Sequence, residues 1–195
     1  MAAEPIRDKK DVKKLVQYYL DLQNWRNYVL IVMGINTALR ISDLLQVKWN
    51  DVYDFERKKF RTHLKLREMK TKKAQSIMLN KSILAALRLY MENSNATSGS
   101  FLFVSNRRSK DGTYNPISRQ QAYRIIKEAA QKSRTAEQVS CHSLRKTFGY
   151  HAWHAGAHVV VLMEIYNHSS YAMTRRYLGI AQDERDAVYK MANWN

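Results

Sequence analysis

The 195-residue chain is short of cysteine, of proline and of acidic residues, and each shortage excludes something. Cys141 is the only cysteine, so no intramolecular disulfide can form; the chain reads as a product of a reducing compartment, with Cys141 a small buried apolar residue. Proline occurs twice, and no proline-rich linker, internal repeat or low-complexity segment divides the sequence. With 45% hydrophobic residues there is enough apolar material for one well-buried core and too little for two, so residues 1–195 are expected to form a single domain. No uninterrupted apolar run reaches the roughly 18 residues of a membrane span, and the N-terminal MAAEPIRDKKDVKK lacks the apolar stretch of a signal peptide. The expectation is a soluble, cytoplasmic protein with no membrane partner.

Asp and Glu number 17 against 33 Lys and Arg, a formal net charge of +16 that points to a polyanionic partner. A ribosomal protein, an RNA-binding module or a protein lying on anionic lipid would share that excess. Its distribution narrows the choice. Residues 57–73 hold nine Lys or Arg and one acid, residues 107–150 hold ten and three, and the rest of the chain is close to neutral. Such concentration is what a nucleic-acid footprint requires and a uniformly solvated surface does not.

Apolar spacing predicts a mainly helical fold with one small antiparallel sheet. Val12, Leu15, Val16, Tyr19 and Leu20 fall on one helical face, and the run Tyr28–Met33 is apolar all round, as in a central helix ending near residues 34–37. Ser42 is positioned to cap a short helix DLLQV, with Asp43 near its positive end, and WNDVYDFERKK reads as a polar connection. Alternation from Phe60 to Leu79 predicts two strands whose turn carries Lys70, Lys72 and Lys73. Asn80 or Ser82 begins a helix through Met91, NSNATSGS is a loop, FLFV is a short buried strand or extended segment, and NRRSKDGTYNP is a basic loop. Ser118 caps a helix with Ala122, Ile125, Ile126 and Ala129 on one face, and short helices continue from about Ser140. The tail AQDERDAVYKMANWN is a further amphipathic helix, with Ala187, Val188 and Met191 apolar and Trp194 near its end.

Two pairs of residues in the second half carry chemistry. His142 and Arg145, three apart, project from one helical face and can converge on a single anion. His168 and Tyr177 are nine apart, with Ser169 or Ser170 available to cap a helix that Gly179 ends, so Tyr177 falls near that helix's end. His151, His154 and His158, at i, i+3 and i+7, would line one helical face like a zinc array, but no acidic or cysteine partner stands in that window.

Taken together, Arg40, Lys70, His142, Arg145, His168 and Tyr177 resemble the signature of the tyrosine recombinases of the phage integrase family: an Arg, a β-hairpin Lys, His-x-x-Arg, a second His and a nucleophilic Tyr. TALRISDLLQVKWNDV resembles the family's first Arg box, HSLRKTFGYHAWHAG its second, and MKTKK its Lys-Thr-Gly turn. The resemblance implies the family's catalytic-domain fold, mainly α with a small antiparallel sheet, and double-stranded DNA as partner. It gives Arg40 and Arg145 the non-bridging oxygens of the scissile phosphate and Tyr177 the attack that forms a 3′-phosphotyrosyl link. Lys70, with Lys72 as an alternative, would protonate the 5′ leaving oxygen; His142 would accept the tyrosine's proton and His168 would hydrogen-bond the phosphate. Neither a metal, nor ATP, nor any cofactor is implied, because the cationic side chains supply the charge stabilisation. Asp43 could orient Arg40 or simply favour its helix N-terminus.

The chain departs from the family pattern at Ala38 and Asn167, where glycine is common. It also carries no core-binding domain ahead of its first helix, so it is either a piece of a longer protein or a short form similar to the fimbrial inversion recombinases. The family's C-terminal helices dock on a neighbouring protomer, which implies a homo-oligomer, a tetramer on DNA from a chain that can be monomeric when free; packing in cis is the other reading for this tail. A type IB topoisomerase shares most of the residue set, and a basic DNA-binding regulator could keep the fold without the chemistry.

Overall fold

A computed structural model describes residues 3–108, 112–135 and 139–192. The described elements are three two-stranded antiparallel sheets among helices, consistent with the mainly α expectation. The helix α2 (Trp25–Asn36) is the hub: Val29, Leu30, Ile31 and Met33 are fully buried, and α1 (Lys9–Asp21), α5 (Lys81–Glu92) and α7 (Cys141–His154) pack around it. Leu15 and Tyr19 face inward from α1, and Ala122, Ile126 and Ala129 from α6 (Arg119–Lys132), as their spacing requires. Asp8, Asn80, Ser118 and Ser140 cap α1, α5, α6 and α7 through side-chain oxygens that accept from backbone N–H groups of the first turn.

The strands β3 (His63–Arg67) and β4 (Ala74–Met78) pair from His63↔Met78 to Arg67↔Ala74, leaving residues 68–73 as the turn, with Lys70, Lys72 and Lys73 exposed there. A second, smaller hydrophobic cluster gathers Ala38, Tyr150, Val159, Leu162, Tyr166, Leu178 and Ile180. It unites α7 with α8 (Val159–Tyr166) and α9 (Tyr171–Leu178). The approach of α7 to its neighbours depends on Gly149: a Cβ there would lie 2.6 Å from Tyr166 Oη. Ile6, a member of the larger cluster, holds the N-terminal segment on α7: its N–H donates to Thr147 Oγ1 at 2.9 Å and its carbonyl meets His151 Nε2 at 2.9 Å. The last helix, α10 (Ala181–Met191), buries no residue; its base is tied by Arg7–Asp183, Arg175–Glu184 and Tyr171–Glu184. A cleft of about 970 Å³ opens between α8 and α10, bordered by Trp153, Val160, Tyr171, Val188 and Tyr189.

Several local expectations give way. The short helix α3 (Ile41–Leu44) starts from Arg40, two residues before Ser42, with no side-chain cap, and the Asp43 carboxylate accepts from Met69 N at 2.8 Å. The segment read as a polar connection folds into α4 (Trp49–Val52), which buries Trp49 and Val52, and the hairpin β1 (Tyr53–Asp54) with β2 (Lys59–Phe60). The basic loop is a second hairpin, β5 (Val104–Arg108) with β6 (Tyr114–Pro116), whose tip lies outside the described residues. Leu102 and Phe103 are fully buried, as FLFV suggests, but they form a turn between the Lys48–Phe101 bridge and β5, which begins only at Val104. His151, His154 and His158 do not share a face: α7 ends at His154, Gly156 takes a φ of +93°, and His158 caps the next helix. Trp194 lies outside the described residues.

Candidate active site

Five of the six signature residues converge where α2, α7, α8 and α9 meet. Beyond α2 the chain turns through Ala38, at a φ of +55°, and delivers Arg40 at the start of α3. Its Nη1 lies 2.9 Å from Glu68 Oε2, an ion-pair contact that lacks hydrogen-bond alignment. Arg145 sits one helical turn after His142 on α7 and is only 3% exposed. Its guanidinium stacks on the Tyr166 ring at 4.9 Å and donates through Nη2 to the Tyr166 carbonyl at 3.3 Å, while Tyr166 Oη donates back to the Arg145 carbonyl at 2.7 Å. That reciprocal pair fixes the guanidinium's plane and leaves Nη1 buried without a hydrogen-bond partner.

The helix α8 ends at Asn167, whose φ of +55° closes the turn before His168. Ser170 caps α9 by accepting from Met173 N at 3.1 Å, and Gly179, at a φ of +71°, ends it, so Tyr177 occupies its last turn. The His168 ring meets the Tyr177 ring edge-to-face at 5.1 Å and stacks on Tyr166 at 5.4 Å, with Nδ1 3.0 Å from Thr174 Oγ1. Tyr177 is half-buried; on its other side Lys146, itself 8% exposed, holds its ammonium 5.2 Å from the ring centre. Lys70 stands apart, exposed in the β3–β4 turn with no ion pair or hydrogen bond to the described residues.

The electrostatics follow from burial beside two guanidinium groups. Desolvation, then the charge of Arg145, lowers the pKa of both His142 and His168, and Arg40 adds to each. The two imidazoles are therefore held neutral more readily than free histidine. Desolvation raises the Tyr177 phenol above its ordinary value, with Arg145 and Arg40 pulling the other way. An arrangement of two guanidinium groups with donors to spare, two neutral imidazoles and a phenol is suited to receiving an anion and letting the phenol attack it.

Sequence reasoning missed three contributors. Tyr166, which orients Arg145, ends an apolar helix and reads there as core. Lys146 reads as one more basic residue. Glu68 did leave a signal: it is the single acid among the nine cations of residues 57–73. Its side chain is 1% exposed.

Residues 7–184 match the phage integrase family. The chain belongs to that family. The probable integrase/recombinase YoeC of Bacillus subtilis is 39% identical over 188 residues, covering 96% of each chain. The tyrosine recombinase XerA of Pyrococcus furiosus is 25% identical across 95% of this chain but only 60% of its own length. Among solved structures, XerA recombinase superposes with a TM-score of 0.76 at 21% identity, spanning all of this chain and 66% of that one. The XerH recombinase bound to its difH substrate, in a post-cleavage complex, superposes at 0.70 and 17% identity over 96% of this chain and 53% of that one. At those identities the likeness is one of fold. As a member of the phage integrase family the chain is a tyrosine-type site-specific recombinase, and the topoisomerase and regulator readings are not favoured. Among its described residues, no helix is long and apolar enough to cross a membrane.

Proposed function

We propose that this single catalytic domain, acting in the cytoplasm, cuts and rejoins double-stranded DNA through Tyr177. The observation that carries the reading is the contact of Tyr177 with His168 beside a buried Arg145 whose Nη1 has no partner. Arg40 and Arg145 grip the non-bridging oxygens of the scissile phosphate and offset the charge that builds as the phosphorane forms. The Tyr177 oxygen bonds to phosphorus as the bond to the 5′ oxygen breaks; His142 takes the phenolic proton, and Lys70 gives a proton to the departing 5′ oxygen. His168 hydrogen-bonds the phosphate. Reversal of the same proton movements rejoins the strand, so the phosphodiester energy is conserved and neither ATP nor a metal enters.

Lys70 is preferred to Lys72 because of the backbone. In the Lys-Thr-Gly pattern the third position is glycine, and here that position, Lys72, has a φ of +58°. The match therefore aligns Lys70 with the pattern's lysine. The exposed apolar residues of α10 support docking on a second copy, so that the assembly on DNA is a homo-oligomer, a tetramer in the family's manner, from a chain that is monomeric when free.

The test is a nicked duplex library built from the DNA flanking the gene, analysed on a denaturing gel. Wild type is expected to leave a covalent protein–DNA band, and Tyr177→Phe to bind the same duplex in a mobility shift with no such band. Tight, sequence-dependent binding by wild type without any adduct would overturn the reading in favour of a regulator. Relaxation of supercoils by a monomer without site preference would overturn it in favour of a topoisomerase.

A further inference from the structure

We propose that Glu68 is a positioning residue that locks the Lys70 turn to Arg40, so that proton donor and phosphate clamp address the same phosphate. The inference rests on the roles given to Lys70 and Arg40 above. One carboxylate oxygen, Glu68 Oε2, accepts from Thr71 Oγ1 at 2.5 Å and from Asn167 Nδ2 at 3.0 Å, and lies 2.9 Å from Arg40 Nη1. Those partners come from three places: the β3–β4 turn, the residue before His168, and the start of α3. A carboxylate this deeply buried is stable only when its charge and lone pairs are met, so each partner is held to it.

The geometry bears on Lys70 because both of its flanks are fixed while its side chain is free. On one side Glu68 N donates to Lys73 O at 2.9 Å and Met69 N donates to Asp43 Oδ1 at 2.8 Å. On the other, Thr71 holds Glu68 through its hydroxyl and Lys72 N donates to Glu68 O at 2.9 Å. A lysine side chain has four rotatable carbons and no shape of its own, so its reach is set by where its backbone is anchored. Asp43 and Glu68, two buried carboxylates, tie the turn to the short helix that presents Arg40. The apolar residues Leu64, Leu66 and Ile77 seat the hairpin on the larger cluster, and the two carboxylates fix its turn.

A purely structural role and a positioning role separate on the leaving group. A duplex with sulfur replacing the bridging 5′ oxygen departs as a thiolate and has no need of the Lys70 proton, yet it still requires Arg40 and Tyr177. Thr71→Val removes the hydroxyl contact and spares the Arg40–Glu68 pair. Its rate of adduct formation on the oxygen duplex is expected to fall roughly tenfold to a hundredfold and to return close to wild type on the sulfur duplex. Thr71→Ser, which keeps the hydroxyl, is expected to restore the oxygen rate. Glu68→Gln loosens both arms, so it is expected to slow both duplexes, the oxygen one more. Equal losses on the two duplexes for Thr71→Val and Glu68→Gln, or no loss on either, would overturn the proposal while the tyrosyl chemistry stood. A wild type that forms no adduct even with the sulfur duplex would sink the tyrosyl reading itself, and this one with it.

Discussion

Ala38, Lys72 and Asn167 have φ values of +55°, +58° and +55°, and each stands where the family pattern has glycine. An L-residue in that left-handed region costs about 1 kcal/mol or more relative to glycine. Each of the three carries the strain differently. Asn167 belongs to the residue type that tolerates the conformation best, and its Nδ2 reaches Glu68. Ala38 buries its methyl in the smaller cluster, a gain of about 0.8 kcal/mol that offsets the strain. Lys72 is exposed and has no such compensation. Lys72→Gly is therefore expected to stabilise the protein by roughly 0.5–1 kcal/mol, read as a rise in Tm of about 1–4 °C, whereas Ala38→Gly should leave Tm almost unchanged.

The same scale governs the pH profile. In the proposed mechanism His142 accepts the Tyr177 proton and so must be neutral; its pKa is lowered by burial and by Arg145. The acid limb of the cleavage rate is accordingly expected to have its midpoint below about 6.5, the free imidazole value. Folding stability follows the same sign. His142, His151 and His168 all bind protons less readily folded than unfolded, so Tm should hold above about pH 6.5 and fall as pH drops through their lowered pKa values. An acid limb centred above that pH would remove His142 from the role of proton acceptor. The set of six could be proposed from the sequence because each is a reactive type in a recognisable string, and the fold gathers all of them but Lys70. Tyr166 and Lys146 were not legible in the sequence, and Glu68 showed only as a lone acid among cations, since what these residues do depends on which group happens to lie opposite them in space.

At the scale of elements, α1, α5 and α6 were legible because each buries a stripe at helical spacing, α2 because its run is apolar all round, and β3–β4 because alternation changes the period. The hairpins β1–β2 and β5–β6 were not, because they lie in polar, basic sequence where backbone pairing leaves no apolar pattern. The C-terminal helix shows the opposite case: its amphipathic pattern is plain, yet Val188, Tyr189 and Met191 are 64%, 77% and 82% exposed. A helix that presents its apolar side to water is waiting for a surface. On the reading that this surface is a second copy, Val188→Asp is expected to weaken assembly on DNA, measured by sedimentation of the complex. The folding stability of the free chain should stay within about 0.5 kcal/mol of wild type, as is usual for surface positions. Unchanged assembly would place α10 outside the interface.

Across the whole molecule, α7 is the seam. Leu144 belongs to the larger cluster and Tyr150 to the smaller, and Arg145 lies between them with a donor unsatisfied. The free protein thus pays a desolvation cost that an anion would relieve. Inorganic phosphate at ten times its dissociation constant is expected to raise stability by about 1.4 kcal/mol, or roughly 3 °C, with the gain lost in Arg40→Ala. Equal shifts from phosphate and from chloride at matched ionic strength would assign the effect to general screening.

The cleft between α8 and α10 has a use of its own. Trp153 stands on its wall, facing the part of the molecule that Val188 and Tyr189 overhang. Of the other described tryptophans, Trp25 and Trp49 pack with the larger cluster, whereas Trp153 packs against the smaller one. The difference in emission between the wild type and Trp153→Phe is consequently a built-in optical probe of that one joint. A blue shift of this difference spectrum on adding DNA would time the arrival of a covering surface, and its order relative to the covalent band would say whether neighbours engage before or after the strand is cut.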